Sequence, residues 1–182
     1  RKVVIAVDGG RMRIRQKKRG PKSRKNRHRY RADWREPKLL IIYVSQANGR
    51  LDKSFIPMTD GTLDGPDAMF VLLYRHLILL NIGEADQVLF IADGARWIWD
   101  RMPDLKQLLH LSGVYFDPLE LIDFYHAAQH LHEFSNLKSS WSKRRRKQWV
   151  NTQKKFLKAG RIKKVLNALK SAAKGTKSKL LK

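Results

Sequence analysis

Val3-Val4-Ile5-Ala6-Val7-Asp8-Gly9-Gly10 is the stretch on which the reading of the fold turns. A continuous, largely β-branched run closed by Asp-Gly-Gly reads as a buried strand that ends in a turn. Nearly the same text returns in Gln87-Val88-Leu89-Phe90-Ile91-Ala92-Asp93-Gly94-Ala95. Between the two, Leu39 to Val44 is a second buried run. The Asn48-Gly49 pair after it is a hairpin signal, so Lys53 to Met58 is expected to pair back antiparallel. Asp60-Gly61 and Asp64-Gly65-Pro66 read as loop. Asp67 is the predicted cap of a helix reaching about Leu80, with Phe70, Leu73, Leu77 and Leu80 on one face and Gly83 at its end. A further helix is predicted over Ala95 to Leu109, with Pro103 interrupting it or starting its second part. Either Val114-Tyr115-Phe116 or Leu119-Glu120-Leu121-Ile122 supplies a fifth strand, and Asp123 to Phe134 reads as helix. Ser140 to Leu181 is basic and helical, with Ile162, Val165, Leu166 and Leu169 on one face and Gly160 and Gly175 as breaks. Three strands followed by alternating helix and strand predict an α/β fold, a mixed sheet with helices on its faces.

Composition bounds the function. The chain has 182 residues, 42% of them hydrophobic, which suits one domain with an appendage. No apolar run reaches the roughly 18 residues of a membrane span, and Arg1-Lys2-Val3-Val4-Ile5 is too short for a signal peptide. Arg1 stands where a native start has Met, so the sequence reads as a fragment. Cysteine is absent, which excludes disulfides, thiolate zinc sites and a cysteine nucleophile.

The net charge is +23 and it is unevenly spread. Residues 11–38 hold 14 Lys or Arg against Asp33 and Glu36; residues 134–182 hold 17 and no acid; the remainder is slightly acidic. Two basic attachments on an acidic core point to a polyanion, bound by neutralising phosphates and releasing counterions. The candidate DNA contacts are Arg11, Arg13, Arg15, Arg24, Lys25, Arg27, Arg29 and Arg31 in the first block and Lys143, Arg144, Arg145 and Arg146 in the second. The first block, broken by Gly20-Pro21, reads as a long mobile loop or an extended hairpin. A membrane-surface role fits poorly, since no single long basic amphipathic helix with bulky apolar residues is present.

Asp8 and Asp93 are the candidate chemistry. A carboxylate at the end of a strand faces the crevice in which open sheets bind ligands. If the two strands are neighbours, the acids lie side by side and offer the oxygen ligands that a hard divalent cation such as Mg²⁺ or Mn²⁺ requires. Two such ions about 3.5–4 Å apart activate a water or 3′-hydroxyl and stabilise the leaving oxygen in phosphodiester attack. Asp-Gly at a strand end is also an ordinary turn. Asp123, His126 and His130 share a helical face, which allows a zinc site or a proton-handling His126; histidines on such a face are more commonly surface or packing residues. Glu120 and Glu133 are weaker candidates. Trp97, Trp99, Tyr115, Phe124 and Tyr125 near the acids read first as core, whereas Tyr30, Trp34, Trp141 and Trp149 sit in or beside the basic blocks and suit nucleic-acid contact. No P-loop, dinucleotide fingerprint or Gly-x-Ser-x-Gly occurs.

Val-Asp-Gly-Gly-Arg (7–11), Trp-Arg-Glu-Pro-Lys (34–38), Ala-Asp-Gly-Ala-Arg-Trp-Ile-Trp (92–99) and Leu-Ile-Asp-Phe-Tyr-His-Ala-Ala-Gln-His-Leu (121–131), taken in order, resemble bacterial insertion-sequence transposases of the DDE type. The resemblance is to the Kra-type group, related to Mutator-like transposases, and it runs from about residue 3 to residue 134. It implies a ribonuclease H-like core over 1–133 and a basic helical segment, the start of an insertion, over 134–182. It implies metal-dependent DNA strand cleavage and transfer, with Asp8 and Asp93 as the first two catalytic acids and Asp123 and His126 as the family's Asp/Cys-x-x-His motif. A bacterial cytoplasmic, nucleoid-associated protein acting as a homo-oligomer on DNA ends follows from the same resemblance. The family also requires a third acid, and no Asp or Glu follows Glu133. Weak metal binding and little strand transfer are therefore expected of this chain. Two other readings use the same residues: a decayed or domesticated non-catalytic nucleic-acid-binding protein, and another ribonuclease H-like nuclease such as a resolvase.

Overall fold

In a computed structural model that describes residues 1–174, the chain is mixed α/β. The large sheet has five strands: β1 (Lys2–Gly9), β4 (Lys38–Ser45), β5 (Met58–Thr62), β6 (Gln87–Ala92) and β7 (Leu119–Ile122). Their spatial order is β5-β4-β1-β6-β7. β1 runs antiparallel to β4 and parallel to β6, and β4 runs antiparallel to β5. Two further strands, β2 (Met12–Lys17) and β3 (Tyr30–Arg35), form a separate antiparallel ribbon between β1 and β4. Residues 11–38 are thus the extended hairpin rather than the loop.

The helices are α1 (Pro66–Leu79), α2 (Arg96–Trp99), α3 (Met102–Leu111), α4 (Phe124–Asn136), α5 (Lys143–Lys158) and α6 (Ile162–Ala173), with a 3₁₀ turn at Ile82–Glu84. Among the described residues, none is long and apolar enough to cross a membrane. The chain divides into two compact units, Arg1–Leu121 and Ile122 onward. Helix α4 therefore belongs with the basic helices, although the sequence division falls after Glu133.

In the first unit, Met69, Phe70, Leu73 and Leu77 of α1 recur at helical spacing and are buried. They meet Ile5 and Val7 of β1, Leu40 and Ile42 of β4, and Val88, Phe90 and Ala92 of β6. Ile98, Met102, Leu105 and Leu109 complete this core. Burying a side chain such as Leu73 fully stabilises by about 1.5–3 kcal/mol. In the second unit, Leu131, Val150 and Val165 join α4, α5 and α6, with Trp149, Phe156, Leu157 and Leu169 packed on them.

Several expectations are corrected. The strand after the Asn48-Gly49 turn is not Lys53–Met58. The turn forms, with Gly49 at φ 78°, yet only Ser45 and Leu51 bridge there. Ser54 then bonds back to the Asp52 carboxylate and Pro57 has no N–H to give, so regular pairing starts at Met58, opposite Ile42. Asp60-Gly61 is consequently strand, not loop. Asp67 lies in the first turn of α1, whose cap position is Gly65 with Pro66 next. The helix expected over 95–109 is two helices, with Pro103 at the start of the second, where its missing N–H does no harm. The fifth strand is Leu119–Ile122. On α6 only Val165 is buried, while Ile162 and Leu166 are exposed. Gly175 lies outside the described residues.

Candidate metal centre and nucleic-acid interface

Strand alternation decides where the acids point. Ile5 and Val7 face the core, so Asp8 faces the opposite side. In β6, Phe90 and Ala92 face the core, so Asp93, the next residue, turns the same way as Asp8. The parallel register sets Val7 beside Ala92, which brings the following residues together. A carboxylate oxygen of Asp8 and one of Asp93 lie within 4.8 Å of each other. Asp8 is exposed and Asp93 half-buried.

Each acid is oriented by the turn that follows it. Asp8 Oδ1 accepts from the Gly9 amide at 2.7 Å, and Asp93 Oδ1 accepts from the Ala95 amide at 2.9 Å. These bonds engage one oxygen, Oδ1, of each acid. The Trp99 indole donates to the Asp93 carbonyl at 2.6 Å, and its ring meets Phe90 edge-on at 5.8 Å. Trp97 meets Phe70 edge-on at 6.4 Å. Arg101 ties this segment to α1, through Asp67 at 2.7 Å and the Trp97 carbonyl at 3.0 Å. Trp97 and Trp99 thus brace the Asp93 turn as core residues, while Tyr115 and Tyr125 are exposed. Two oxygen-only carboxylates on a solvent-reached edge suit Mg²⁺ or Mn²⁺, which retain waters and take few protein ligands.

Asp123 and His126 lie in the second unit. Asp123 caps α4, accepting from the Tyr125 amide at 2.7 Å and pairing with His126 Nδ1 at 2.9 Å. Burial pushes the Asp123 carboxyl up, but the Tyr125 amide and His126 outweigh it, and the net direction is below the ordinary carboxylate range. His130 pairs instead with Glu133, at 3.1 Å. The two histidines are therefore engaged by different acids. Among the described residues, Asp123, His126 and His130 do not form a group able to share an ion. Glu120 pairs with Lys106 at 2.9 Å.

The basic residues differ in what they are free to do. In β2 and β3, Arg13 stands opposite Trp34, Arg15 opposite Ala32 and Lys17 opposite Tyr30. Opposed residues share a face, so Arg11, Arg13, Arg15 and Lys17 share one with Tyr30 and Trp34. Arg11 lies over the Trp34 ring at 5.1 Å and Arg15 over the Tyr30 ring at 4.5 Å. The other face carries Asp33, paired with Arg35 at 3.2 Å, and Gln16, which takes Arg31 at 3.1 Å. Arg24, Lys25, Arg27 and Arg29 are exposed beyond the strands.

In α5, Ser142 caps the helix through the Arg145 amide. Lys143 and Arg144 are exposed. Arg145 lies over Trp141 at 4.9 Å, and Arg146 donates to the Lys138 carbonyl at 2.9 Å. Cations in the first turn oppose the helix dipole, so this cluster does not serve helix stability. Trp149 packs between Phe134 and Trp141, at 5.4 and 5.5 Å.

Sequence reasoning missed two features. The Trp99 bond to Asp93 left no signal beyond the tryptophan itself. The division of the ribbon into paired and unpaired faces was legible only once register was known.

Compared with known proteins, the chain matches no family model, no curated protein and no solved structure.

Proposed function

We propose that this chain is the ribonuclease H-like core of a DDE-type DNA transposase, built for divalent-metal-dependent strand cleavage and transfer. The observation that carries the reading is the Asp8–Asp93 pair, whose oxygens lie within 4.8 Å at the ends of adjacent parallel strands. The strand order supports it. Counted along the chain, the five strands of the large sheet lie third, second, first, fourth, fifth, with the first three antiparallel neighbours, as in ribonuclease H-like folds.

In this reading Asp8 and Asp93 would hold Mg²⁺ or Mn²⁺. The ion supplies activation of a water or 3′-hydroxyl and charge neutralisation at the phosphate. The Gly9 and Ala95 amides orient the two carboxylates, and the Trp99 bond holds the Asp93 backbone. The cations of the two basic blocks neutralise nucleic-acid phosphates. Asp123 enters through the resemblance alone. Work on two DNA ends implies at least two copies of the chain.

The test is a DNA-affinity measurement with a transposon-end-like duplex bearing a nick, in Mg²⁺ or Ca²⁺ and in EDTA. The reading expects tighter binding with the ion, and loss of that gain in Asp8→Asn and Asp93→Asn. Equal affinity with and without ion, in all three proteins, leaves the non-catalytic nucleic-acid-binding reading in its place. Because no acid follows Glu133, strand transfer is expected to be slow. Robust Mg²⁺-dependent cleavage abolished by Asp8→Asn would contradict that expectation while supporting the metal site.

A further inference from the structure

We infer that one face of the β2–β3 ribbon is a stacking platform for unpaired nucleic-acid bases, distinct from a duplex-backbone contact. The inference rests on the polyanion part of the proposed function and on none of its metal chemistry.

The two faces of the ribbon have different chemistry. One carries Arg11, Arg13, Arg15 and Lys17 with Tyr30 and Trp34. Among the described residues, none of these four cations makes an ion pair with an acid. Asp33 and its partners occupy the other face. A ribbon needing only solubility or hairpin stability would distribute its acid and its cations over both faces, since opposite charges placed across strands stabilise a sheet.

The aromatics are the second observation. Trp34 is 55% exposed and Tyr30 49%. They alternate on one strand with only Ala32 between them on that face, about 13 Å apart at the ordinary strand rise. A two-stranded ribbon has no core to fill, and rings left about half exposed gain only part of the burial they would gain in a core. Each is instead flanked by a guanidinium, Arg11 at Trp34 and Arg15 at Tyr30. A guanidinium is flat and stacks on a base as readily as on a ring. The pairs hold four planar groups on one face, interleaved with the phosphate-binding charges of Arg13 and Lys17. That is the composition of a single-strand site: rings for bases, cations for the backbone. In paired duplex the base faces are closed to such rings, and only phosphates and base edges are presented.

The occupant is thus a single-stranded or frayed stretch of nucleic acid, such as strand opening at a cut end would provide.

The experiment compares a fluorescein-labelled single strand of mixed sequence with its own duplex, at matched salt and in EDTA. Trp34→Ala and Tyr30→Ala are expected to weaken single-strand binding at least about fivefold each, the effect of losing one base stack. Duplex binding should change much less, and Trp34→Phe should restore the single-strand affinity. Met12→Ala, on the other face, should leave both affinities unchanged. Circular dichroism checks that the variants fold. Equal losses on single strand and duplex would overturn the inference and make the ribbon a groove or backbone contact. No loss on either would overturn it as well. Because EDTA removes divalent ions, failure of the metal reading leaves this result unaffected.

Discussion

Lys38 holds its ammonium 4.8 Å from the centre of the Trp97 ring. It is 7% exposed, and its nearest acid is Glu36, at 3.6 Å. Lys38 stands opposite Gly9 in the β1–β4 register. A Cβ on Gly9 would sit 3.5 Å from that ammonium. Gly9 alternates with Ile5 and Val7, so Lys38 closes the core side of the sheet, and the Asp8 carboxylate leaves by the other side.

The first prediction follows from that side assignment. Lys38→Met keeps the length of the stem and removes a buried charge, and such swaps are commonly neutral or stabilising. Its thermal stability should hold or rise. Lys38→Ala uncovers Trp97 and should cost about 0.5–3 kcal/mol. Neither should alter Mn²⁺ affinity; an altered affinity would place the ammonium among the ion's neighbours.

Gly61 explains a strand that its own sequence disguised. A Cβ there would meet the Lys38 carbonyl and Leu39 Cδ2, each at 2.8 Å. Gly61→Ala must therefore force β5 away from β4, and a loss of about 1–3 kcal/mol is expected in chemical denaturation. An unchanged midpoint would show that β5 does not lie where it is placed.

Asp60 and His76 tie β5 to α1, with Nε2 and Oδ2 2.7 Å apart. That bond first, and the Gly61 amide second, hold the Asp60 carboxyl below its ordinary range. A carboxyl depressed in the folded state contributes stability that is present above its unfolded pKa and is lost as pH falls through the folded value. Melting temperatures measured downward through the carboxylate range should fall in the wild type. In Asp60→Asn the share of that fall due to this group should vanish. Identical acid limbs in the two proteins would refute the linkage.

Gln153 is 3% exposed in α5, and its Oε1 has no hydrogen-bond partner among the described residues. An unsatisfied buried acceptor costs about 1–3 kcal/mol. Gln153→Met, similar in shape and without that acceptor, should raise stability by about 1 kcal/mol in urea denaturation. A loss would mean that the amide is satisfied.

Much of this arrangement could be read from residues alone, for a physical reason. Val3–Val7 and Val88–Ala92 are apolar over their whole length, and only a central strand buries such a run. Their closing Asp-Gly turns then had to fall at the same edge once the strands were parallel neighbours. β5 resisted reading because Met-Thr-Asp-Gly-Thr has neither an apolar run nor clean alternation, and its glycine answers a clash with β4 that only the pairing reveals. The ribbon resisted because its strands are polar on both faces, so register rather than composition separates them. The split of His126 from His130 was equally hidden, since both share a helical face and only the partner acids tell them apart.

Asp8 and Asp93 are proposed to share one ion. Mn²⁺ binding, followed by electron paramagnetic resonance on the wild type, Asp8→Asn and Asp93→Asn, tests that most directly, with a melting curve for each protein. The wild type should bind Mn²⁺ weakly but saturably. Each asparagine variant should lose at least about 1.4 kcal/mol of binding, a factor of ten, while keeping its fold. Binding that is unchanged in both variants would contradict the central claim and leave the two acids as turn residues.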